Sequence, residues 1–180
     1  MIAGVPMPKK VLVLNGSTRA HSTNGLFIQA IVRLAGERAQ FTVLPSVADL
    51  PHFNPDLDAV PAPPAVARYR QQLTEAYGIL ICTPEYAMGV PGSLKNALDW
   101  AVSSSSFSGK PVMLVTASLG GEKAQASLLD TLTVIEAVVA PETTVLISFA
   151  RTKVDAAATI IDAQALADVQ RALGNFLAHK

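Results

Sequence analysis

The chain of 180 residues has one cysteine, few aromatics and no excess of either charge. A lone Cys82 excludes an internal disulfide and any cysteine-based zinc pattern. Aromatic residues make up 6% of the sequence while hydrophobic residues make up 50%, so aliphatic strands and alanine-rich helices must build the core. The 14 basic and 14 acidic residues cancel to a formal net charge of zero and are scattered, which leaves no basic face for a nucleic-acid backbone. The longest apolar runs, such as Ile79 to Cys82 and Val112 to Val115, fall far short of the roughly 20 residues that span a bilayer. Met1 to Pro8 shows no charged start followed by an apolar stretch, so no signal peptide and a cytoplasmic location are expected. His21, His52 and His179 lie apart, and no Asp/Glu/His cluster suggests a metal. Neither a P-loop, nor a glycine-rich dinucleotide fingerprint, nor a Gly-x-Ser-x-Gly elbow occurs.

What is present is an alternation of short aliphatic runs and helical patterns. Val11–Leu14, Phe41–Leu44, Gly78–Cys82, Val112–Thr116 and Val145–Ile147 read as strands. Between and after them, apolar residues recur at helical spacing: Phe27, Ala30, Ile31 and Leu34; Val66, Tyr69 and Leu73; Leu94, Ala97, Leu98 and Ala101. The same spacing continues with Leu128, Leu132 and Ile135, and with Leu166, Val169, Leu173 and Phe176. Five strands alternating with five helices predict an α/β three-layer sandwich, with a parallel sheet covered on both faces. The expected order is 2-1-3-4-5, in one domain over residues 1–180. A chain of this length buries roughly 70% of its unfolded surface. Six of the 12 prolines fall between Pro45 and Pro64, which excludes ordinary helix there and predicts a long surface excursion.

In that strand order a ligand sits where the sheet changes direction, between strands one and three. Two unusual loops follow those two strands. The first, Asn15 to Asn24, holds Ser17, Arg19, Ser22, Thr23 and Asn24 and runs straight into a helix, which suits a phosphate. The plainer reading is that Ser22, Thr23 or Asn24 caps that helix. The other begins at Thr83-Pro84-Glu85-Tyr86-Ala87 and continues to Asp99-Trp100. Its two prolines stiffen a turn able to line a flat ring, or merely feed a helix with Pro91 near its first position. Trp100 is expected to pack rather than to bind. A third loop, Ser118-Leu119-Gly120-Gly121, permits close backbone approach to a ligand, although paired glycines also mark any tight turn. Cys82 ends an apolar strand and reads as a core thiol.

Gly16-Ser17-Thr18-Arg19-Ala20-His21-Ser22-Thr23-Asn24 resembles the Gly-Ser-x-Arg-x-x-Ser-x-Asn loop of the NAD(P)H-dependent FMN reductase family, relatives of bacterial chromate, quinone and azo-dye reductases. Thr83-Pro84-Glu85-Tyr86 together with Pro91-Gly92-x-Leu94-Lys95-Asn96-Ala97-x-Asp99-Trp100 resembles its second signature, and Leu50-Pro51-x-Phe53-Asn54-Pro55-Asp56 a third segment. The resemblance implies a flavodoxin-like fold and noncovalent FMN, its phosphate near Ser17, Arg19, Ser22, Thr23 and Asn24. The ring would rest on Pro84, Glu85, Tyr86 and Ala87, bordered by Ser118, Gly120 and Gly121. It also implies hydride transfer from NADPH or NADH to flavin N5, with two electrons then passed to a flavin, quinone or similar small acceptor by a ping-pong mechanism. No side chain acts as acid or base in that scheme. A homodimer or homotetramer is implied as well. The chain departs from the family pattern at Ala87 and Met88, where an Asn and a small polar residue are usual, and the loop 118–122 is short. Alternative readings are a flavodoxin-like electron carrier or a flavin-free binding protein of the same fold.

Overall fold

The computed structural model describes residues 8–59 and 61–179, so the expectation of no signal peptide at the amino terminus lies largely outside them. One parallel sheet has the order β2-β1-β3-β4-β5, the order expected from the sequence. Its strands are β1 (Lys9–Asn15), β2 (Ala39–Val43), β3 (Gly78–Thr83), β4 (Val112–Ala117) and β5 (Thr144–Ile147). The helices between and after them are α1 (Thr23–Ala35), α2 (Pro64–Glu75), α3 (Gly92–Val102), α4 (Glu122–Val134) and α5 (Ala163–Ala178). Every residue of β3 and β4 is buried, which is why both read as unbroken apolar runs. β2 starts two residues before the aliphatic run at Phe41, because Ala39 and Gln40 pair with Lys9 and Lys10. No helix of the described residues is long and apolar enough to cross a membrane.

Side chains alternate across the sheet and feed two cores. On one face Val11, Val13, Leu80, Met113 and Val115 meet Phe27 and Ile31 of α1 and Val169, Leu173 and Phe176 of α5. On the other, Leu12, Leu14, Ile79, Ile81 and Leu114 meet Val66, Tyr69 and Leu73 of α2, Leu94 and Leu98 of α3, and Leu128 and Leu132 of α4. Each large aliphatic or aromatic side chain buried in this way contributes roughly 1.5–3 kcal/mol. In α1 the buried stripe includes Ile28, while Leu34 is only half-buried.

Among its described residues, the proline-rich connection from Pro45 to Pro63 contains no α-helix, only the 3-10 turns Val47–Asp49 and Pro55–Leu57. It is held down by α3. The indole Nε1 of Trp100 and the Asn96 amide both donate to the Pro51 carbonyl, at 2.7 and 3.0 Å. Asn96 Oδ1 accepts from the Phe53 N–H at 2.7 Å, and the Phe53 ring stands edge-on to Trp100 at 5.0 Å. Arg70 of α2 donates to the Trp100 carbonyl and to Asp58 at 2.8 and 2.6 Å. Hydrogen bonds from Arg70, opposed by burial and aided by the Ser103 hydroxyl, hold the Asp58 carboxyl below its ordinary range. Trp100 is therefore a packing residue, as expected, and it also latches the long connection.

Candidate functional site

Strands β1 and β3 lie side by side, and the chain leaves them in different directions at their carboxyl ends. The two ends come unusually close. A Cβ at Gly16 would lie 2.3 Å from Thr83 Oγ1 and 3.1 Å from Leu94 Cδ2, so only glycine fits, and its N–H donates to the Cys82 carbonyl at 2.8 Å. From this junction the loops after β1, β3, β4 and β5 surround one cavity of about 380 Å³, within the range of about 300–1,000 Å³ typical of small-molecule sites.

The loop after β1 supplies Ser17, Arg19, Ser22, Thr23 and Asn24 to the cavity wall, all five of the residues expected there. Ser22 caps α1: its Oγ accepts from the Gly25 N–H at 3.0 Å. Its own O–H has no acceptor among the described residues. Ser17 is placed by Asn15, whose Oδ1 accepts the Ser17 N–H at 3.0 Å. The N–H groups of Thr23 and Asn24, at the positive end of α1, find no partner among the described residues. Asn24 is more committed than its position in the motif suggests. Its side-chain amide donates to the Ala117 carbonyl at 3.2 Å, and its Oδ1 accepts from the Cys82 thiol at 3.3 Å, tying α1 to β3 and β4. Burial pushes the Cys82 thiol far above its ordinary range, so it is a poor nucleophile.

After β3, Pro84 and Tyr86 line the cavity, and Glu85 and Ala87 do not. Glu85 turns away to α4, where its Oε2 accepts the N–H groups of Lys123 and Ala124, both at 2.9 Å. It satisfies orphan donors that Gly121, standing at the cap position, cannot. The Glu85 N–H donates to Ser118 Oγ at 3.1 Å, joining the loops after β3 and β4. Beyond Tyr86 the chain reverses in four residues, with Tyr86 and Gly89 exchanging N–H to carbonyl bonds of 3.0 and 2.9 Å. Ala87 and Met88 take φ of 48° and 62°, the left-handed pair that a two-residue turn of this kind requires. Pro91 stands at the cap of α3, one position before its first residue.

After β4, Ala117, Ser118 and Leu119 line the cavity, whereas Gly120 and Gly121 stand outside its wall. Gly121 serves packing: at φ 126° a Cβ would meet Leu146 Cδ1 at 2.8 Å and Thr116 Cγ2 at 2.9 Å. The fourth wall was not anticipated. Phe149, Ala150, Arg151 and Thr152, after β5, complete the cavity. The strand-end rule applied to the fifth strand would have pointed to them. The result is an opening whose lining combines hydroxyls and two arginines with the apolar Pro84, Tyr86, Ala117, Leu119 and Phe149. That donor set fits a phosphorylated ligand with a flat ring: two arginines, helix-end N–H groups and hydroxyls share one space with apolar side chains.

Sheet order defines a flavodoxin-like α/β protein with a cavity at the carboxyl ends of its strands. The profile of the NADPH-dependent FMN reductase family matches residues 9–152, and the chain belongs to that family. It is an NAD(P)H-dependent flavin oxidoreductase with FMN as its cofactor. It is 36% identical over 136 residues to a quinone reductase of Escherichia coli K12, covering 72% of each chain. It is 35% identical over 169 residues to an NAD(P)H-dependent FMN reductase of Pseudomonas aeruginosa, covering 91% of each. Among solved structures it resembles FerB, a flavoenzyme NAD(P)H:(acceptor) oxidoreductase from Paracoccus denitrificans. That match has a TM-score of 0.82 and 30% identity, and covers 94% of this chain and 95% of the other.

Proposed function

We propose that this chain reduces a flavin, a quinone or a similar small acceptor with two electrons drawn from NADH or NADPH. Donor and acceptor use one opening in turn, by a ping-pong mechanism. The observation that carries the reading is the cavity itself, which brings two arginines, hydroxyls and apolar side chains into one space. FMN, when bound, supplies the two-electron chemistry. The chain's part is to bind and orient. Ser17, Arg19, Ser22 and Thr23 hold the phosphate, with Asn24 fixing the start of α1 behind them. Pro84, Tyr86 and Ser118 flank the ring. Glu85, Ala87, Gly120 and Gly121 act from outside the wall, Glu85 by joining the loop after β3 to α4 and the other three by shaping the turns.

A homodimer or homotetramer in the cytoplasm belongs to the same reading. Tyr86, Met88, Leu119 and Phe149 are exposed around the opening and offer another copy of the chain an apolar face. The purified protein is expected to show flavin absorbance that NADPH or NADH bleaches anaerobically and a quinone restores, with parallel double-reciprocal lines. Bound flavin that neither nicotinamide reduces would favour the electron carrier. An inability to take up added FMN would defeat both readings.

A further inference from the structure

Next to the first cavity lies another, of about 330 Å³, whose lining includes Arg19, His21, Thr23, Arg151 and Asp155. Arg19, Thr23 and Arg151 line both spaces, so the two arginines stand at their shared boundary. They arrive there separately: Arg19 on the loop after β1, Arg151 on the 3-10 turn Ala150–Thr152 after β5, with β3 and β4 between those strands. Among the described residues neither guanidinium has an ion-pair or hydrogen-bond partner, whereas those of Arg33, Arg38, Arg70 and Arg171 each engage a carbonyl or carboxylate. Arg68 is also free, but it lines a cavity with Asp49 and no second cation. Asp155 does not neutralise the pair by a direct contact. Its Oδ1 accepts the Thr159 N–H at 2.7 Å and closes its own turn.

Two unpaired cations brought to one boundary repel each other unless an anion lies between them. A phosphomonoester carries about −1.5 to −2 charge at pH 7 and three acceptor oxygens, more than one guanidinium neutralises. We infer that Arg151 is a second phosphate arm: Arg19 and Arg151 grip the FMN phosphate from two sides and make the site select FMN over unphosphorylated riboflavin. This rests on the proposed function, since it assumes that FMN occupies the first cavity. Arg151 is exposed and, among the described residues, its side chain makes no hydrogen bond or ion pair, so replacing it is expected to leave the fold intact.

The test titrates flavin-stripped protein with FMN and, separately, with riboflavin, following the quenching of flavin fluorescence. Arg151→Gln is expected to weaken FMN binding by about tenfold or more, the size of a lost charged hydrogen bond, and to leave riboflavin binding unchanged. Arg151→Lys should recover part of the loss. Three results overturn the inference: equal losses for both flavins, no loss for either, or intact FMN affinity with a raised KM for NADPH alone, which would assign Arg151 to the dinucleotide. A wild-type protein that binds neither flavin defeats the proposed function, and the inference with it. A wild type that binds FMN while Arg151→Gln keeps its selectivity defeats only the inference.

Discussion

The long proline-rich connection from Pro45 to Pro63 and the four-residue turn from Tyr86 to Gly89 contradict their appearance in the sequence. The connection has the length and composition of a loose excursion, yet Trp100, Asn96 and Arg70 satisfy its polar groups against helices that belong to the core. The short turn has the sequence of a stiff one, flanked by Pro84 and Pro91, yet it places two L-residues at positive φ. That conformation costs an ordinary residue roughly 1–2 kcal/mol. Met88 is among the most exposed large side chains of the chain. What fixes a segment is the pairing of its donors and acceptors with something buried. Length does not decide it.

The contrast can be broken most sharply at Trp100. Trp100→Ala should cost about 3–5 kcal/mol in urea unfolding and raise amide exchange at residues 51–58. A loss below about 1 kcal/mol would mean that the connection holds itself. Asn96→Ala removes both the acceptor for Phe53 N–H and a donor to Pro51, and is expected to cost about 1–3 kcal/mol with the same exchange signature. Acid offers a gentler way to undo the latch. Asp58 has a lowered pKa in the folded chain, so its contribution is complete above the ordinary value of 3.8 and is lost as pH falls below that value. Wild type should then lose its stability advantage over Asp58→Asn in that acid window, and an unchanged difference would refute the latch. The smallest effect belongs to the short turn. Ala87→Asn, which tolerates the left-handed conformation, should raise stability by about 0.5–1 kcal/mol in urea denaturation. Lowered stability would show the turn to be unstrained.

Much of the fold was legible because buried parallel strands leave continuous aliphatic runs and their covering helices a regular stripe. β3 and β4, the most buried, were the easiest to place. The first loop was legible because hydroxyls, an arginine and a helix start stand together in eight residues, Ser17 to Asn24. The loop after β5 was not, since Phe149-Ala150-Arg151-Thr152 contains no local pattern and acquires meaning only from its spatial neighbour Arg19. Glu85 was hidden for a related reason. Its partners are N–H groups of residues 123 and 124, and backbone groups carry no side-chain signature in a sequence. Gly121 was visible, but its use was not: the space it keeps clear belongs to Leu146 and Thr116, residues of β5 and β4.

Glu85 gives the rim of the opening an uneven mechanics. Its carboxylate is bolted to the first turn of α4 and its N–H to Ser118, so the base of the loop after β3 is tied to α4 and to the loop after β4. Past that bolt the hairpin from Tyr86 to Gly89 projects like a cantilever, closed by its own two backbone bonds. In the proposed function, the hairpin tip is the part that meets the acceptor and Pro84 the part that seats the cofactor, at opposite ends of one short loop.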